Sequence, residues 1–384
     1  MPFNTKTVMD QRIEFTLQAT QSTISFSLLC HRYGISRVTG YKWLNRYQQQ
    51  GLEGLLNQSR KPKRSPNRSP SLIEEYVISQ RKENPEWGSK KIHSILKRKH
   101  LEGKWNDHIP ARSTIHQILK RHGLISTSKS EQSESWTRFE HQYPNDLWQM
   151  DFKGHFPLQN QQLCHPLTIL DDHSRFNLAL TACLNQQHQT VKECLIKVFA
   201  QYGIPYSILA DNGAPWGTAG NDTTCGERSY TRLEKWLIQQ NIRIIHGRYY
   251  HPQTQGKEER FHRTLKAELL QYENFRDHHH CQNRFDWWRE KYNCRRPHEG
   301  IDMQVPAQRY QPSKRAFKSV AEAPEYDLTD IVKRVNSSGC ISFNNKQHKI
   351  GKAFIGDYVA VRPTIEENVF EVYFHFQPLR KISL

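Results

Sequence analysis

Asn-Asp-Leu-Trp-Gln-Met-Asp-Phe-Lys-Gly occupies residues 145–154, and it places one acid, Asp151, inside a short apolar run. The run from Leu147 to Phe152 has the length and composition of a buried β-strand. A carboxylate inside such a strand costs several kcal/mol unless a cation or a hydrogen-bond partner compensates it. The stretch therefore predicts a strand whose acidic side chain has a binding partner.

Strands and helices alternate after this stretch. The patterns predict strands at 166–170, 176–184, 206–210 and 242–246, and helices at 190–202, 230–240 and 258–272. The order is therefore three strands, helix, strand, helix, strand and helix. This order is typical of an α/β ribonuclease H-like fold, because the sequence of elements constrains the possible architectures.

Two further carboxylates stand at positions suited to a shared site. Asp211 directly follows the strand 206–210, and Glu259 lies on a helix after His-Pro-Gln-Thr-Gln-Gly-Lys, residues 251–257. Side chains at the carboxyl ends of parallel strands project into the usual ligand crevice of α/β sheets. Each acid taken alone also has an ordinary structural explanation. The three together indicate a metal-binding set.

Phosphodiester chemistry needs such a set. Two Mg²⁺ ions about 4 Å apart activate the attacking oxygen and stabilise the leaving oxygen. Mg²⁺ prefers carboxylate oxygens, water and substrate phosphate as ligands. We therefore predict that Asp151 bridges two Mg²⁺ ions, with Asp211 on one and Glu259 on the other, and that Mn²⁺ can substitute.

Five stretches carry a specific resemblance. They are residues 145–154, 170–175, 211–213, 251–266 and 292–298, which together span most of 140–310. This part of the chain resembles insertion-sequence transposases with the DDE catalytic core shared with retroviral integrases. The resemblance implies strand cleavage at element ends, followed by joining of the freed 3′-hydroxyl to target DNA. It also places the catalytic acid directly before Arg-Phe-His, which selects Glu259 over the adjacent Glu258.

The first 125 residues predict two helical DNA-binding units. Helices predicted at 8–19, 24–33 and 37–50, with a turn at Gly34 and an N-cap at Ser36, are typical of a helix-turn-helix domain over 1–56. A basic, Pro-rich linker follows at 57–71. A second helix-turn-helix domain is predicted over 72–125. A small structural helical bundle is the alternative for the first unit.

The predicted DNA contacts are polar or basic side chains in these elements and on the catalytic helix. In the first unit they are Arg37, Lys42, Asn45 and Arg46. In the linker they are Arg60, Lys61, Lys63, Arg64 and Arg68, and in the second unit they are Arg112 and Ser113. On the catalytic helix Lys257, Arg260, Arg263 and Lys266 are proposed, together with His262. A solvated linker or helix face explains the same charges without DNA.

The C-terminal segment, 330–384, predicts a second β-rich domain after a catalytic core over 136–312. Strands at 340–343 and 347–350 flank Asn-Asn-Lys, which is a hairpin signal. Alternation of apolar and polar residues over 369–376 predicts another strand. We expect a small β-barrel that serves either as a DNA clamp or as a structural cap.

Composition limits the class of protein. The 384 residues carry 55 Lys and Arg against 38 Asp and Glu, a net charge of +17, which favours a polyanionic partner. No apolar run reaches the length of a membrane span, and the N-terminus lacks the pattern of a secretory signal. We expect a bacterial cytoplasmic protein, associated with the nucleoid when it is bound to DNA, and no membrane partner.

Several other groups have structural interpretations. Eight cysteines without CxxC spacing predict reduced thiols, with neither a zinc ribbon nor disulfides. Asp171 and Asp172 fit a strand-end turn, and the His278–His280 run lacks the spaced partners of a zinc site. Phe285, Trp287 and Trp288 are expected in a helix core. His298 fits either a structural role or a place at the site.

The sequence thus favours a DNA transposase that binds terminal repeats and target DNA, both double-stranded, as a homo-oligomer on DNA. Two alternatives stay open. One is a domesticated DNA-binding regulator that has lost catalysis. The other is a nuclease acting on RNA–DNA hybrids, an analogy at the level of the fold that leaves the helix-turn-helix units without a purpose.

Overall fold

The computed structural model describes residues 6–21, 24–58, 69–125, 140–211, 213, 215–216, 230–246, 256–320 and 323–383. The chain divides into two compact units, Met1–Arg68 and Ser69–Leu384. The five linker residues predicted to contact DNA, Arg60 to Arg68, lie outside the described residues. The domain boundaries predicted within the second unit stay a prediction.

The first unit contains three helices around a small core. They are α1 (Val8–Gln21), α2 (Phe26–Arg32) and α3 (Arg37–Gln50), and Phe15, Leu29 and Cys30 form the buried centre. The Ser36 side chain accepts a hydrogen bond from the Thr39 N–H at 3.2 Å, so the predicted N-cap is confirmed. Gly34 has a φ of +62° in the turn before α3, a conformation that glycine adopts at little cost.

The second unit begins with another three-helix group. It comprises α4 (Ser71–Glu83), α5 (Ser89–Leu101) and α6 (Arg112–Arg121). Ile115, Ile118 and Leu119 of α6 face the core that α4 and α5 complete, and Arg112 and Ser113 stay exposed. Both N-terminal regions therefore form the predicted three-helix groups. Amphipathic spacing in the sequence indicated which face of each helix is buried.

A six-stranded sheet forms the centre of the second unit. Its strands are β1 (Leu147–Phe152), β2 (Phe156–Pro157), β3 (Leu163–Asp171), β4 (Asn177–Cys183), β5 (Ser207–Ala210) and β6 (Arg243–His246). The order is β2-β3-β1-β5-β6, with β4 paired to β3. β1 runs antiparallel to β3 and parallel to β5, and β5 runs parallel to β6. This is the predicted α/β catalytic-core fold.

Helices cover the sheet through two separate apolar clusters. α7 (His188–Tyr202) and α8 (Arg232–Gln239) pack on the cluster that contains Trp148 and Met150 of β1. α9 (Gly256–Leu265) and α10 (His278–Glu290) pack on the other cluster. α9 continues into a π-helical turn, Lys266–Leu270, and α10 continues into another, Lys291–Arg295. A short helix, α11 (Pro306–Arg309), follows.

Trp287 departs from its predicted place in the core. Phe285 and Trp288 are fully buried as expected, whereas 48% of Trp287 is exposed. α10 turns only one face to the sheet, and successive residues of a helix point about 100° apart. Trp287 therefore lies off the buried face, where the Arg284 guanidinium stacks 4.4 Å from its ring centroid.

The C-terminal segment forms a small domain of antiparallel strands, as predicted. Its strands are β7 (Ile331–Arg334), β8 (Cys340–Phe343), β9 (Lys346–Lys349), β10 (Tyr358–Pro363), β11 (Val369–Phe374) and β12 (Gln377–Ser383). A sheet in the order β12-β11-β10-β7 and the β8–β9 hairpin enclose one apolar core. Asn344 and Asn345 have φ values of 46° and 57°, which close the predicted hairpin turn.

Within the described ranges, no helix combines the length and apolarity that a membrane crossing requires.

Candidate active site

Asp151 and Asp211 lie side by side at the edge of the sheet that is formed by the carboxyl ends of the parallel strands β1 and β5. Gln149 of β1 pairs in register with Leu209 of the parallel strand β5. Continuing that register brings Asp151 level with Asp211, which directly follows β5. β1 side chains alternate between the faces of the sheet, so Gln149 and Asp151 face α9 while Trp148 and Met150 face α7 and α8.

Asp151 carries the clearest electrostatic signature at this edge. Burial raises the pKa of its carboxyl to about 7, and the charges of Asp211 and, more weakly, Glu259 add to the shift. The Phe152 N–H donates to Asp151 Oδ1 at 2.8 Å and opposes that rise. Like charges close together disfavour ionisation, and both other predicted acids contribute to the raised pKa of Asp151.

Asp211 is held through both its side chain and its backbone. The Gly213 N–H donates to Asp211 Oδ1 at 3.1 Å, and His246 Nδ1 lies 2.8 Å from the Asp211 carbonyl oxygen. His246 Nε2 lies 2.9 Å from Glu234 Oε1, a fully buried carboxylate at the start of α8. The pKa of Asp211 is raised by burial, against the hydrogen bond from Gly213.

The adjacent glutamates at the start of α9 have opposite environments. Glu258 is 1% exposed, whereas Glu259 lies on the solvent-exposed side of the helix. The Thr168 hydroxyl donates to Glu258 Oε2 at 3.0 Å, and burial, followed by the charge of Asp151, raises the Glu258 pKa well above its usual range. Glu258 is therefore the enclosed acid, and Glu259 is the accessible one.

His262 completes the layer beneath Asp151. Its Nε2 lies 2.9 Å from the Thr168 hydroxyl, and its Nδ1 lies 3.9 Å from Asp151 Oδ2. Burial lowers its pKa to about 3, so the ring is neutral at physiological pH. The sequence interpretation grouped His262 with the basic face of the helix. That grouping was wrong because His262 lies one turn beyond Glu258, on the side facing the sheet.

The donors at this edge match a hard divalent cation in chemistry. Asp151, Asp211 and Glu259 supply oxygen ligands, and their mutual repulsion is what a cation would relieve. Within the described ranges, however, no three Asp, Glu, His or Cys side chains are arranged so that they could hold a metal ion. The three acids therefore have a suitable composition, but the structure does not arrange them as a complete set of metal ligands.

The residues predicted to contact DNA fall into distinct environments. Arg37, Lys42, Asn45, Arg112, Ser113, Arg260, Arg263 and Lys266 are exposed. Arg46 is half-buried, with its guanidinium 5.2 Å from the Trp43 ring centroid. Lys257 differs from all of these because its ammonium group forms an ion pair with the buried Asp172.

Asp171 and His298 form hydrogen bonds with nearby parts of the fold. Asp171 accepts hydrogen bonds from the Asn145 N–H at 2.7 Å and the Ser174 N–H at 2.8 Å, as a strand-end turn requires. His298 is buried with its Nε2 3.3 Å from the Tyr292 carbonyl oxygen. Sequence patterns had left Thr168, His246 and Glu234 unassigned. Only Glu234 carried a signal, the Thr-x-x-Glu capping box that begins at Thr231.

Family models match most of the chain in consecutive segments. An integrase core domain model matches residues 141–252, and a second integrase core domain model matches 240–306. A helix-turn-helix domain matches 11–63, and a homeodomain-like domain matches 39–119. The C-terminal domain of the IS481 family transposases matches residues 330–383.

Individual relatives are retroviral. The Gag-Pro-Pol polyprotein of squirrel monkey retrovirus is 32% identical over 126 residues, which are 33% of this chain and 6% of the polyprotein. A simian T-cell lymphotropic virus intasome structure covers 77% of this chain and 99% of its own, with 16% identity and a TM-score of 0.37. The HTLV-2 integrase catalytic core with magnesium, in its trimeric form, covers 44% of this chain and 99% of its own, with 14% identity and a TM-score of 0.33.

The carboxylate cluster lies within the segments matched by the integrase core models, between N-terminal helix-turn-helix domains and a C-terminal antiparallel domain of the IS481 transposase type. In its order of domains this chain is therefore similar to insertion-sequence transposases with an integrase-like core.

Proposed function

We propose that this chain is a DNA transposase that binds the terminal repeats of its element and catalyses metal-dependent strand cleavage and strand transfer. The observation that carries the proposal is the position of Asp151 and Asp211 level with one another at the carboxyl ends of the neighbouring parallel strands β1 and β5, with Glu259 contributing to the raised pKa of Asp151. Folds of this type serve many functions, so the site rather than the fold supports the reaction.

Asp151, Asp211 and Glu259 would hold two Mg²⁺ ions, or Mn²⁺ in their place. When bound, such a pair of ions activates the attacking oxygen and stabilises the leaving oxygen of a phosphodiester. The chain's own residues orient the ligands. The Phe152 N–H fixes one oxygen of Asp151, and the Gly213 N–H fixes one oxygen of Asp211. Glu259 faces solvent, from which DNA can approach.

The layer formed by Thr168, Glu258 and His262 supports this set. Burial raises the pKa of Glu258 and lowers the pKa of His262 to about 3, so it disfavours the charged form of both groups. The Thr168 side chain on β3 contacts both of them. The layer therefore holds the α9 side chains against β3 without placing a positive charge beside the acids.

The exposed helix faces support DNA binding. Arg37, Lys42 and Asn45 lie on the solvent side of α3, and Arg112 and Ser113 begin α6. In helix-turn-helix proteins the N-terminal residues of the recognition helix contact base edges in the major groove. Two such domains on one chain suit an extended terminal repeat. Joining two DNA ends to a target requires both ends in one complex, so we propose a homo-oligomer on DNA.

Strand transfer on labelled DNA that carries the element's own ends tests the proposal. Wild-type protein, Glu259→Gln and Glu258→Gln would be compared with Mg²⁺ and with Mn²⁺. We expect product from wild type and none from Glu259→Gln. Glu258→Gln should keep measurable activity, since Glu258 is enclosed and the amide that replaces it has a similar shape.

Two outcomes would change the conclusion. Loss of activity only in Glu258→Gln would keep the function and overturn the choice of the third acid. Specific end binding by wild type with no product under either metal would favour a DNA-binding regulator without catalysis. Both outcomes are read in the same assay when end binding is measured in parallel.

A further inference from the structure

Asp172 is a completely buried carboxylate directly after β3. Its side chain forms an ion pair with the Lys257 ammonium group. It also accepts a hydrogen bond from Gln149 Nε2 at 2.6 Å and one from the His141 N–H at 2.9 Å. A buried charge is tolerated only when it is paired and hydrogen-bonded, and Asp172 meets both conditions.

The partners of Asp172 come from the elements that carry the proposed acids. Gln149 lies on β1 and faces the same side of the sheet as Asp151. Lys257 lies in the first turn of α9, immediately before Glu258 and Glu259. Asp172 therefore connects the strand that carries the first acid with the helix that carries the third.

Lys257 points towards the protein, unlike the other basic residues of α9. Residues four apart share a helix face, and Phe261, four residues after Lys257, is buried. Arg260, Arg263 and Lys266 are exposed, whereas only 20% of the Lys257 side chain is exposed. A phosphate that drew Lys257 away would take from the buried Asp172 its nearest counter-charge, which is unfavourable.

We propose that Asp172 and Lys257 are positioning residues for the metal-binding set. Their ion pair fixes the start of α9 and therefore the direction of Glu259 relative to Asp151. The proposal rests on the proposed function, because it assigns the pair a role in that same site. It replaces the DNA contact that the sequence suggested for Lys257.

Variants of Lys257 and an exposed arginine on the same helix test this role. Lys257→Met removes the charge at similar length, Lys257→Arg keeps the charge, and Arg263→Met is the matched control. Three quantities would be measured on the full-length protein. They are Mn²⁺ affinity of the DNA-free protein by calorimetry, the salt dependence of end binding, and the strand-transfer rate at saturating DNA.

We expect Lys257→Met to bind Mn²⁺ about 10-fold more weakly and to transfer strands about 100-fold more slowly, because misplacement by about 1 Å has that effect on rate. The slope of log affinity against log salt should not change. Lys257→Arg should recover most of the Mn²⁺ affinity. Arg263→Met should show the reverse, with the slope reduced by about one and Mn²⁺ affinity unchanged.

The double variant Lys257→Met with Asp172→Asn controls for loss of activity through unfolding, because it removes both charges of the buried ion pair. It should unfold near the wild-type temperature and keep the Mn²⁺ defect. Wild-type Mn²⁺ affinity in this variant would overturn the positioning role. So would a Lys257→Met variant whose salt slope falls like that of Arg263→Met while Mn²⁺ binding stays intact.

Failure of the proposed function is distinguishable from failure of this inference. Wild type that binds Mn²⁺ and DNA without forming product would overturn the catalytic proposal, and the Mn²⁺ comparison would still decide the role of the pair. Wild type that binds no Mn²⁺ would overturn the inference directly, because there would be no metal-binding set to position.

Discussion

Two acidic side chains near the carboxyl ends of the parallel strands, Asp151 and Glu258, are buried in surroundings that disfavour their charged forms. Asp151 has its pKa raised to about 7 by burial and by the charge of Asp211, and Glu258 is enclosed with one carboxylate oxygen, Oε1, making no hydrogen bond to the residues described. Residues held in unfavourable electrostatic environments cluster at functional sites. The cost of Asp151 can be measured directly.

Asp151→Asn should stabilise the metal-free protein most at pH 8 and clearly less at pH 5. The folded-state pKa of Asp151 lies above its ordinary value of 3.8, so folding favours the protonated acid. Its unfavourable contribution therefore develops as the pH rises from about 4 through about 7. Thermal unfolding in a chelator at both pH values checks this. A lower unfolding temperature for the variant at pH 8 would contradict the assignment.

His246→Ala should lower the rate of strand transfer per folded molecule, beyond any loss that comes from a smaller folded fraction. Removing the imidazole takes away the contact 2.8 Å from the Asp211 carbonyl oxygen and leaves Glu234 with one partner fewer. The segment that carries Asp211 would lose a fixed orientation, and we expect activity to fall by about 10- to 100-fold. The rate per folded molecule is the quantity to compare. An unchanged rate would remove His246 from any supporting role.

At the scale of elements, the periodicity of apolar residues predicted which helices and strands exist. The elements packed against each helix or strand determine which of its faces is buried. β1 and α3 have the predicted bounds because apolar spacing and the Ser36 cap mark them in the sequence. Trp287 was misplaced because two adjacent tryptophans give no indication of which one faces the sheet. The pairing of Asp172 with Lys257 was not predictable, since it joins residues far apart in sequence.

Trp288→Ala and Trp287→Ala form a matched pair on α10. Trp288 is fully buried, so its loss should cost about 3–5 kcal/mol of unfolding free energy. Trp287 is half exposed, and its loss should cost less than about 1 kcal/mol. Denaturant unfolding of the two variants measures the difference. Equal destabilisation would show that the face of α10 has been assigned wrongly.

Gly40→Ala should destabilise the first helical unit. A Cβ at Gly40 would lie 2.6 Å from Cys30 Sγ and 3.0 Å from the Phe15 ring, so these two side chains or the helices that carry them would have to shift. Overpacking of this kind costs about 1–3 kcal/mol. Gly88→Ala in the second unit is the control, because a Cβ there would meet no atom within 4 Å. Thermal unfolding and end binding would both report the loss.

At the scale of the whole molecule, charge is the property that the sequence predicts most simply. The net charge of +17 was read from composition alone, and exposed basic side chains occur in both units. The domain order also followed from local patterns, because each domain has its own period and its own turn residues. The position of Asp151 level with Asp211 depends on strand register, which the sequence does not contain. The sequence indicated a shared site only through the ends of its strands and through a resemblance.

End binding by the full chain should depend steeply on salt. A protein that makes about 6–10 phosphate contacts loses about 10³- to 10⁵-fold in affinity between about 50 and 200 mM salt. We expect this chain to fall in that range. Titrations of fluorescent end DNA at several salt concentrations give the slope. A shallow slope would mean that most of the exposed basic residues do not touch the backbone of DNA.

The burial of Glu258 beside the exposed Glu259 has a consequence for reading element copies in genomes. A copy in which Glu259 has changed to glutamine still presents a glutamate two positions before Arg-Phe-His. A search that accepts a glutamate at either position would count that copy as intact, although Glu258 is enclosed against β3. A glutamate at position 259 itself, rather than a glutamate anywhere in this stretch, would then distinguish active copies from inactive ones.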